Sequence, residues 1–332
     1  MKQCPNQEKY KFSHFLDLYS GALFYRKDVF RSQTSGKTDC IVDFETRLQN
    51  YIAMIEEYLN TCLSVPAGKQ QIVADAMAYS VDAGGKRIRP VLTLEFCRIN
   101  GGNPEAALPF AAAVEMIHSY SLIHDDLPCM DNDDFRRGKP SCHKAYGEAN
   151  ALLAGDGLLT AAFYTLTQAK LPPEQIVEAT AVLSDYAGIM GMIGGQVIDL
   201  QSEGQTIDED TLNATYDLKT AALLKAACEL GCIAASAGPA KRQKAREYAK
   251  NLGFAFQIVD DILDVEGDAQ KLGKPTGSDA DNDKRTYIAL FGMEQAKKRA
   301  AEYSEAAIAC LREFDDNGFL NELTHRLAVR NH

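Results

Sequence analysis

Two aspartate clusters carry most of the chemistry this sequence could perform. The first reads Asp125-Asp126-Leu-Pro-Cys-Met-Asp131 and the second Asp260-Asp261-Ile-Leu-Asp264, and each closes a long apolar stretch. Asp260 and Asp264 stand four residues apart, so on a helix their carboxylates share one face. Like charges at that spacing repel, and a helix C-terminus is the unfavourable end for an anion. A cation relieves both conflicts. Carboxylate oxygens suit a hard ion such as Mg2+, usually held by one or two carboxylates together with substrate phosphates. Solvated helix ends explain either cluster alone, but are a poorer account of two.

Phosphate also gives a reason for the basic residues. They are Gly84-Gly85-Lys86-Arg87-Ile88-Arg89-Pro90, Arg136-Arg137-Gly138-Lys139-Pro140, Lys219-Thr220, Lys274 and Lys284. Arginine forks match phosphate bidentately, whereas lysine acts as a point charge. The double glycine before Lys86 allows a tight turn that brings backbone and cation near an oxyanion. Any one basic cluster is more often a solvated face. Joined to paired aspartates, the set points to a metal–diphosphate site.

These residues need a scaffold, and the hydrophobic pattern supplies helices. Phe44, Leu48, Tyr51, Ile52, Ile55 and Leu59 recur at helical spacing. The spacing predicts further helices over 72–83, 91–99, 104–124, 149–169, 173–201, 208–237, 240–265, 287–290, 294–314 and 320–329, with glycine pairs and prolines at several ends. No run of alternating β-branched residues appears, so a sheet is not expected. The expectation is all-α: one large bundle of ten or more helices over residues 43–332. Residues 1–42, with mixed charge and no sustained period, read as an appended arm. Three polar loops interrupt the pattern at 127–148, 203–209 and 266–285. The first and third each follow an aspartate pair, and loops that long in a compact domain usually serve function.

Composition narrows the classes. The chain has 332 residues, 46% of them hydrophobic, with 24 glycines and 11 prolines, which argues against a disordered or collagen-like protein. Its net charge of −11 argues against non-specific nucleic-acid binding, which needs a basic surface. The nine cysteines are scattered without a Cys-x-x-Cys pair, and we expect reduced thiols in a cytoplasmic protein. Cys228 and Cys232 share a helix face and read as core residues before they read as a metal or redox pair. No uncharged apolar run of about 18 residues predicts a membrane span, and the first 40 residues lack a signal-peptide core.

The strings GGKRIRP, EMIHSYSLIHDDLPCMDNDDFRRGKPSCH, GEANALLAGD, LKTAALL, GFAFQIVDDILD and LGKPTGSD resemble those of the trans-isoprenyl diphosphate synthases, most nearly the bacterial farnesyl-forming branch. The resemblance covers about residues 43–332. It implies the isoprenoid synthase fold, with helices around a central prenyl-chain cavity, and a homodimer. It implies that an allylic diphosphate ionises and that the alkene of isopentenyl diphosphate attacks the resulting cation. The departing diphosphate then takes the proton, so no side chain is nominated as base.

By the same resemblance, three Mg2+ ions per site arrive with substrate. Asp125, Asp131 and Asp260 bind them, with Asp126, Asp261 and Asp264 in or beside the ligand set. Arg136, Lys219, Lys274 and Lys284 grip the allylic diphosphate. Lys86, Arg89, His118 and Arg137 hold isopentenyl diphosphate. Thr220 and Gln257 lie beside the developing cation. Tyr120, five residues before Asp125 and about 7.5 Å down the helix, matches the aromatic wall that stops growth at fifteen carbons. A geranylgeranyl-forming enzyme is the near alternative.

A rival comes from another class. Glu115-Met-Ile-His118 and Glu322-Leu-Thr-His325 have the Glu-x-x-His spacing of di-iron carboxylate bundles. That reading needs two further partner glutamates and explains neither aspartate cluster. A non-catalytic subunit would be expected to lose one aspartate cluster. A terpene cyclase would not need the second diphosphate site that GGKRIRP supplies.

Overall fold

The computed structural model describes residues 44–65, 68–266 and 286–328. Its elements are α1 (Phe44–Leu63), α2 (Gln71–Val81), α3 (Ile88–Ile99), α4 (Pro104–Asp125), β1 (Phe135–Arg136), β2 (Lys139–Pro140), α5 (Cys142–Tyr146) and α6 (Glu148–Leu166). There follow α7 (Pro173–Ala187), α8 (Met192–Ser202), α9 (Glu209–Thr215), a π-helical segment (Tyr216–Ala221), α10 (Ala222–Ala234) and α11 (Pro239–Glu266). Beyond the second aspartate cluster lie α12 (Tyr287–Phe291), α13 (Met293–Cys310), a 3-10 turn (Leu311–Glu313) and α14 (Gly318–Ala328).

Helix α4 is the axis of the bundle. It starts efficiently: the Asn103 side chain accepts from the Glu105 amide at 3.0 Å, and Pro104 occupies the first turn, where a missing N–H costs nothing. From Ala107 to Ile123 it is buried nearly all round, the mark of a helix apolar on every face. It packs against α3, α6 and α10, while α11 packs against α10 and α13. A second, smaller apolar cluster gathers Leu212, Tyr216, Phe254, Ile258, Val259 and Tyr287 beneath the second aspartate motif.

Several details depart from the sequence expectation. The helix expected over 173–201 is two, because the chain turns through Gly188–Gly191. A Cβ on Gly191 would lie 2.1 Å from the Tyr186 carbonyl oxygen, and Ile189 and Met190 are exposed at the corner. Helix α3 begins before Pro90, which falls in its first turn. The loop at 127–148 holds the two-residue hairpin β1–β2 and the short helix α5, so the expected absence of sheet needs that small correction. Arg137 and Gly138 both have positive φ (53° and 75°), as a tight hairpin turn requires. The arm 1–42 and nearly all of the loop at 266–285 lie outside the described residues.

Two stretches are apolar and long enough to suggest membrane spans, contrary to the sequence reading. Pro104–Asp125 is 72% buried within the bundle and so is its core helix. Pro173–Ser202 is broken into pieces of 15 and 11 residues, each short of the roughly 20 a bilayer needs. The described cysteines are free thiols. Cys228 and Cys232 are buried, and burial pushes the Cys232 thiol up to about 12, which leaves both as inert core groups.

One buried carboxylate ties the N-terminal helices together. Glu95 accepts from Tyr51 at 2.8 Å and from Arg98 at 2.8 and 2.9 Å, with Arg47 at 3.3 Å. Arg98 continues to Asp316, ahead of α14. Glu95→Ala strands the buried Tyr51 hydroxyl and takes a carboxylate from both arginines, leaving Arg98 only Asp316 among the described residues, and should cost about 2–3 kcal/mol in urea unfolding. Arg47→Ala removes a partly exposed partner and should cost under about 1 kcal/mol.

Candidate active site

The first aspartate cluster folds back on the end of α4. The Leu127 amide donates to the His124 carbonyl at 3.1 Å, and the Asp131 amide returns to the Asp125 carbonyl at 2.9 Å. The loop back brings Asp131 beside Asp125. Burial raises the Asp125 carboxyl to about 6; Lys219 and Arg136 oppose the rise, while Asp131 and Asp126 add to it. Asp126 lies in a different setting: it is buried and held by Arg136, whose Nε donates at 3.0 Å. Arg136 also reaches Asp133 at 3.1 Å. The hairpin β1–β2 makes this possible, because it returns Arg136 toward the helix end and directs Arg137 elsewhere.

The second cluster divides in the same way. Asp261 is buried and accepts from the Tyr216 hydroxyl, from Gln257 Nε2 at 3.2 Å and from the Tyr287 amide at 3.2 Å. The sequence reading grouped Asp261 with the metal ligands; here its oxygens tie α11 to the π segment and to α12. Asp264 is buried, and Asp260 is partly exposed one position before Asp261. Gln257, a turn earlier on α11, accepts from the Thr220 hydroxyl at 2.9 Å.

Lys219 and Thr220 ride on the π segment, a geometry frequent at functional sites. Its seat is Gly195 of α8, where a Cβ would lie 2.1 Å from the Lys219 amide nitrogen, so only glycine lets the two backbones meet. One turn further along α8, Asp199 binds the Lys219 ammonium at 2.6 Å. Lys219 is therefore aimed by a carboxylate that motif reading did not single out.

The basic turn between α2 and α3 opens a cavity of about 490 Å3, lined by Lys86, Arg89, Glu115, His118 and Arg137, with Thr220, Leu224 and Phe256 on another wall. All four residues expected to hold isopentenyl diphosphate reach this one cavity. Gly85 is required here: its φ is +134°, and a Cβ would lie 2.8 Å from the Arg137 guanidinium carbon. Burial pushes Arg89 down to about 10, with Glu115 and Asp260 opposing and Arg137 adding. Burial and then the charges of Arg89 and Arg137 hold His118 well below the usual imidazole range. Cations crowded at this cost are an arrangement that an anion would relieve.

Arg87, in the middle of the basic motif, does something else. It sits in the left-handed region (φ 50°), is buried, and pairs with Glu115 at 2.8 Å while donating to the Val81 carbonyl at 2.7 Å. That pair locks the turn so that Lys86 and Arg89 face the cavity. It also bears on the rival motif: Glu115 is bound to Arg87, and Glu322 binds Arg326 on α14 at 2.6 Å, so both glutamates already have cationic partners. Among the described residues no three histidine, cysteine or acidic side chains converge as a ready metal cage. Tyr120 is buried on α4 one turn before His124. Lys274 and Lys284 lie outside the described residues.

Residues 70–325 match the family model for polyprenyl synthetases. The chain is 45% identical over 292 residues to a farnesyl diphosphate synthase of Geobacillus stearothermophilus, covering 87% of this chain and 94% of that one. It is 46% identical over 266 residues to a geranylgeranyl diphosphate synthase of Cyanophora paradoxa, covering 79% and 88% respectively. Among solved structures, an apo FPP/GFPP synthase from Zymomonas mobilis superposes with a TM-score of 0.78 at 36% identity, covering 86% of this chain and 99% of that one.

The cavity makes a simple binding prediction. Arg89→Gln should weaken inorganic diphosphate about tenfold or more in calorimetry, the worth of one charge-assisted hydrogen bond. Arg326→Gln, on the far α14 surface, should leave binding unchanged.

Proposed function

This chain belongs to the polyprenyl synthetase family, and on that premise we propose that it is a chain-elongating prenyltransferase whose product is farnesyl diphosphate. The observation that carries this reading is one cavity that combines cationic side chains with apolar ones. Lys86, Arg89, His118 and Arg137 would take a diphosphate there, and Leu224 and Phe256 would take a short hydrocarbon. Thr220 links that cavity through Gln257 to the second aspartate motif. Two anionic substrates thus meet between a basic turn and two acidic helix ends.

The residues fit Mg2+. Asp125 is raised by burial and by its carboxylate neighbours, the state of a site short of positive charge. The chain offers carboxylates from two helix ends instead of a closed cage, which suits an ion whose shell is completed by substrate phosphate and water. Asp125, Asp131 and Asp260 would hold it, with Asp264 close by. When bound, Mg2+ supplies charge neutralisation for a departing diphosphate.

The side chains do the rest. Lys219, with Arg136, Lys274 and Lys284, grips the allylic diphosphate and stabilises it as its C–O bond breaks. Asp199 keeps Lys219 aimed until that ligand arrives. The Thr220 hydroxyl and Gln257 carbonyl present dipoles to the allylic cation without capturing it. The alkene of isopentenyl diphosphate, held at its diphosphate end, forms the new C–C bond, and the departed diphosphate accepts the proton. Positioning does most of the work.

Tyr120 bounds the growing chain, and its aromatic ring favours the fifteen-carbon product over the twenty-carbon one. The geranylgeranyl reading rests on a relative of similar identity (46% against 45%) and turns on the same residue. We further infer a cytoplasmic homodimer, with exposed Leu152 and Leu153 on α6 and Ile193 and Val197 on α8 as apolar surface for a second copy.

Incubation with Mg2+, labelled isopentenyl diphosphate and primers of five, ten and fifteen carbons should give chiefly the fifteen-carbon diphosphate, read by chromatography. Activity should vanish with EDTA and return with Mg2+; tightly held iron after mild purification would instead favour the carboxylate bundle. Tyr120→Ala should lengthen the product, and unchanged length would remove Tyr120 from the wall.

A further inference from the structure

We propose that His124 sets product length by buttressing Tyr120, which makes it a specificity-determining residue that acts through its neighbour. The inference rests on the reading of Tyr120 as the end wall of the prenyl cavity.

A buried tyrosine hydroxyl ordinarily finds a hydrogen-bond partner. Tyr120 is 5% exposed, yet its hydroxyl has none among the described residues. No hydrogen bond fixes the ring, so packing must. His124 stands four residues on, on the same face of α4. The two rings meet edge to face, with centroids 5.7 Å apart and planes at 73°.

His124 is itself clamped. Its Nε2 lies 3.1 Å from the Leu152 carbonyl oxygen on α6. A carbonyl can only accept, so Nε2 carries the hydrogen and donates. The Asp156 carboxylate lies 3.9 Å from the same nitrogen. Behind the ring is Gly155, buried, where a Cβ would fall 2.0 Å from Nε2 and 2.4 Å from Cδ2. The imidazole therefore fills the space a side chain at 155 would need. It cannot shift toward α6 without meeting the Gly155 backbone.

Position in the sequence sharpens the point. His124 immediately precedes Asp125, so the wall and the acidic site share one rigid turn of helix. A change at His124 releases the Tyr120 ring without shortening it, and a ring free to swing admits a longer chain.

Product ratio is the readout, because substitutions beside Asp125 can slow turnover without bearing on length. His124→Ala should raise the ratio of twenty- to fifteen-carbon product about threefold to tenfold, the population shift that loss of an aromatic edge contact permits. His124→Gln keeps a donor for the Leu152 carbonyl but no ring, and should do the same even if the alanine variant folds poorly. Tyr120→Ala should lengthen the product further, and His124→Ala added to it should change nothing more. If Tyr120→Ala lengthens the product while both His124 variants keep the wild-type ratio, the buttress is wrong and the wall stands. If the double variant exceeds Tyr120→Ala, His124 acts independently and the inference fails. Wild-type length in Tyr120→Ala would overturn both readings.

Discussion

The constraint on which this molecule depends is that strong charges of both signs are held close together without cancelling. Acidic groups cluster at the ends of α4 and α11, while cations gather at the turn before α3. If these paired freely, the site would close on itself. Each doubled motif instead gives up one member to the fold. Asp126 is taken by Arg136, Asp261 by Tyr216, Gln257 and the Tyr287 amide, and Arg87 by Glu115. Adjacent residues on a helix are rotated by about 100°, so the neighbour of an anchored residue points elsewhere. On our reading of the site, Asp125, Asp260, Lys86 and Arg89 are the members that meet the substrates. A buried pair is costly to desolvate and gains little stability over an apolar replacement. Its use here is directional, because it fixes where the remaining charges point.

That division explains how much the sequence could reveal. Helical periodicity survives in the structure because most elements are amphipathic or wholly buried, and their ends carry local signals such as Asn103-Pro104. The corner at Gly188–Gly191 was hidden because apolar spacing continues across it through Ile189, Met190 and Ile193, with no proline to mark the break. The π segment was hidden for a different reason. It is met by the bare backbone of Gly195, 24 residues away in sequence from Lys219, and no local pattern encodes that meeting. The hairpin β1–β2 has strands of two residues, too short to show alternation.

The site was legible in its residue types and illegible in its partnerships. Motif resemblance identified Lys86, Arg89, His118 and Arg137, and one cavity receives all four. It did not identify Asp199 or Glu115, since each reaches its partner across the bundle. It treated Asp260 and Asp261 alike, because two adjacent aspartates look equivalent in a string. Burial and hydrogen bonds distinguish them.

Net charge takes on a different meaning in this light. A formal charge of −11 seems ill suited to anionic substrates, but charge acts locally where burial weakens screening. The cavity is lined by Lys86, Arg89 and Arg137, while on our proposal cations that accompany the substrate would offset the acid excess at the helix ends. Helix α4 connects the two requirements. It carries His118 at the cationic cavity, Tyr120 and His124 along its last turns, and Asp125 at its end. Each position adds about 1.5 Å along the axis. Helix α4 packs against α3, α6 and α10 along its length, so movement of its middle turns would disturb a close-packed core. If the proposed wall at Tyr120 holds, the helix carries wall and acidic cluster on one element, five residues apart, and product length becomes a matter of packing as much as of chemistry.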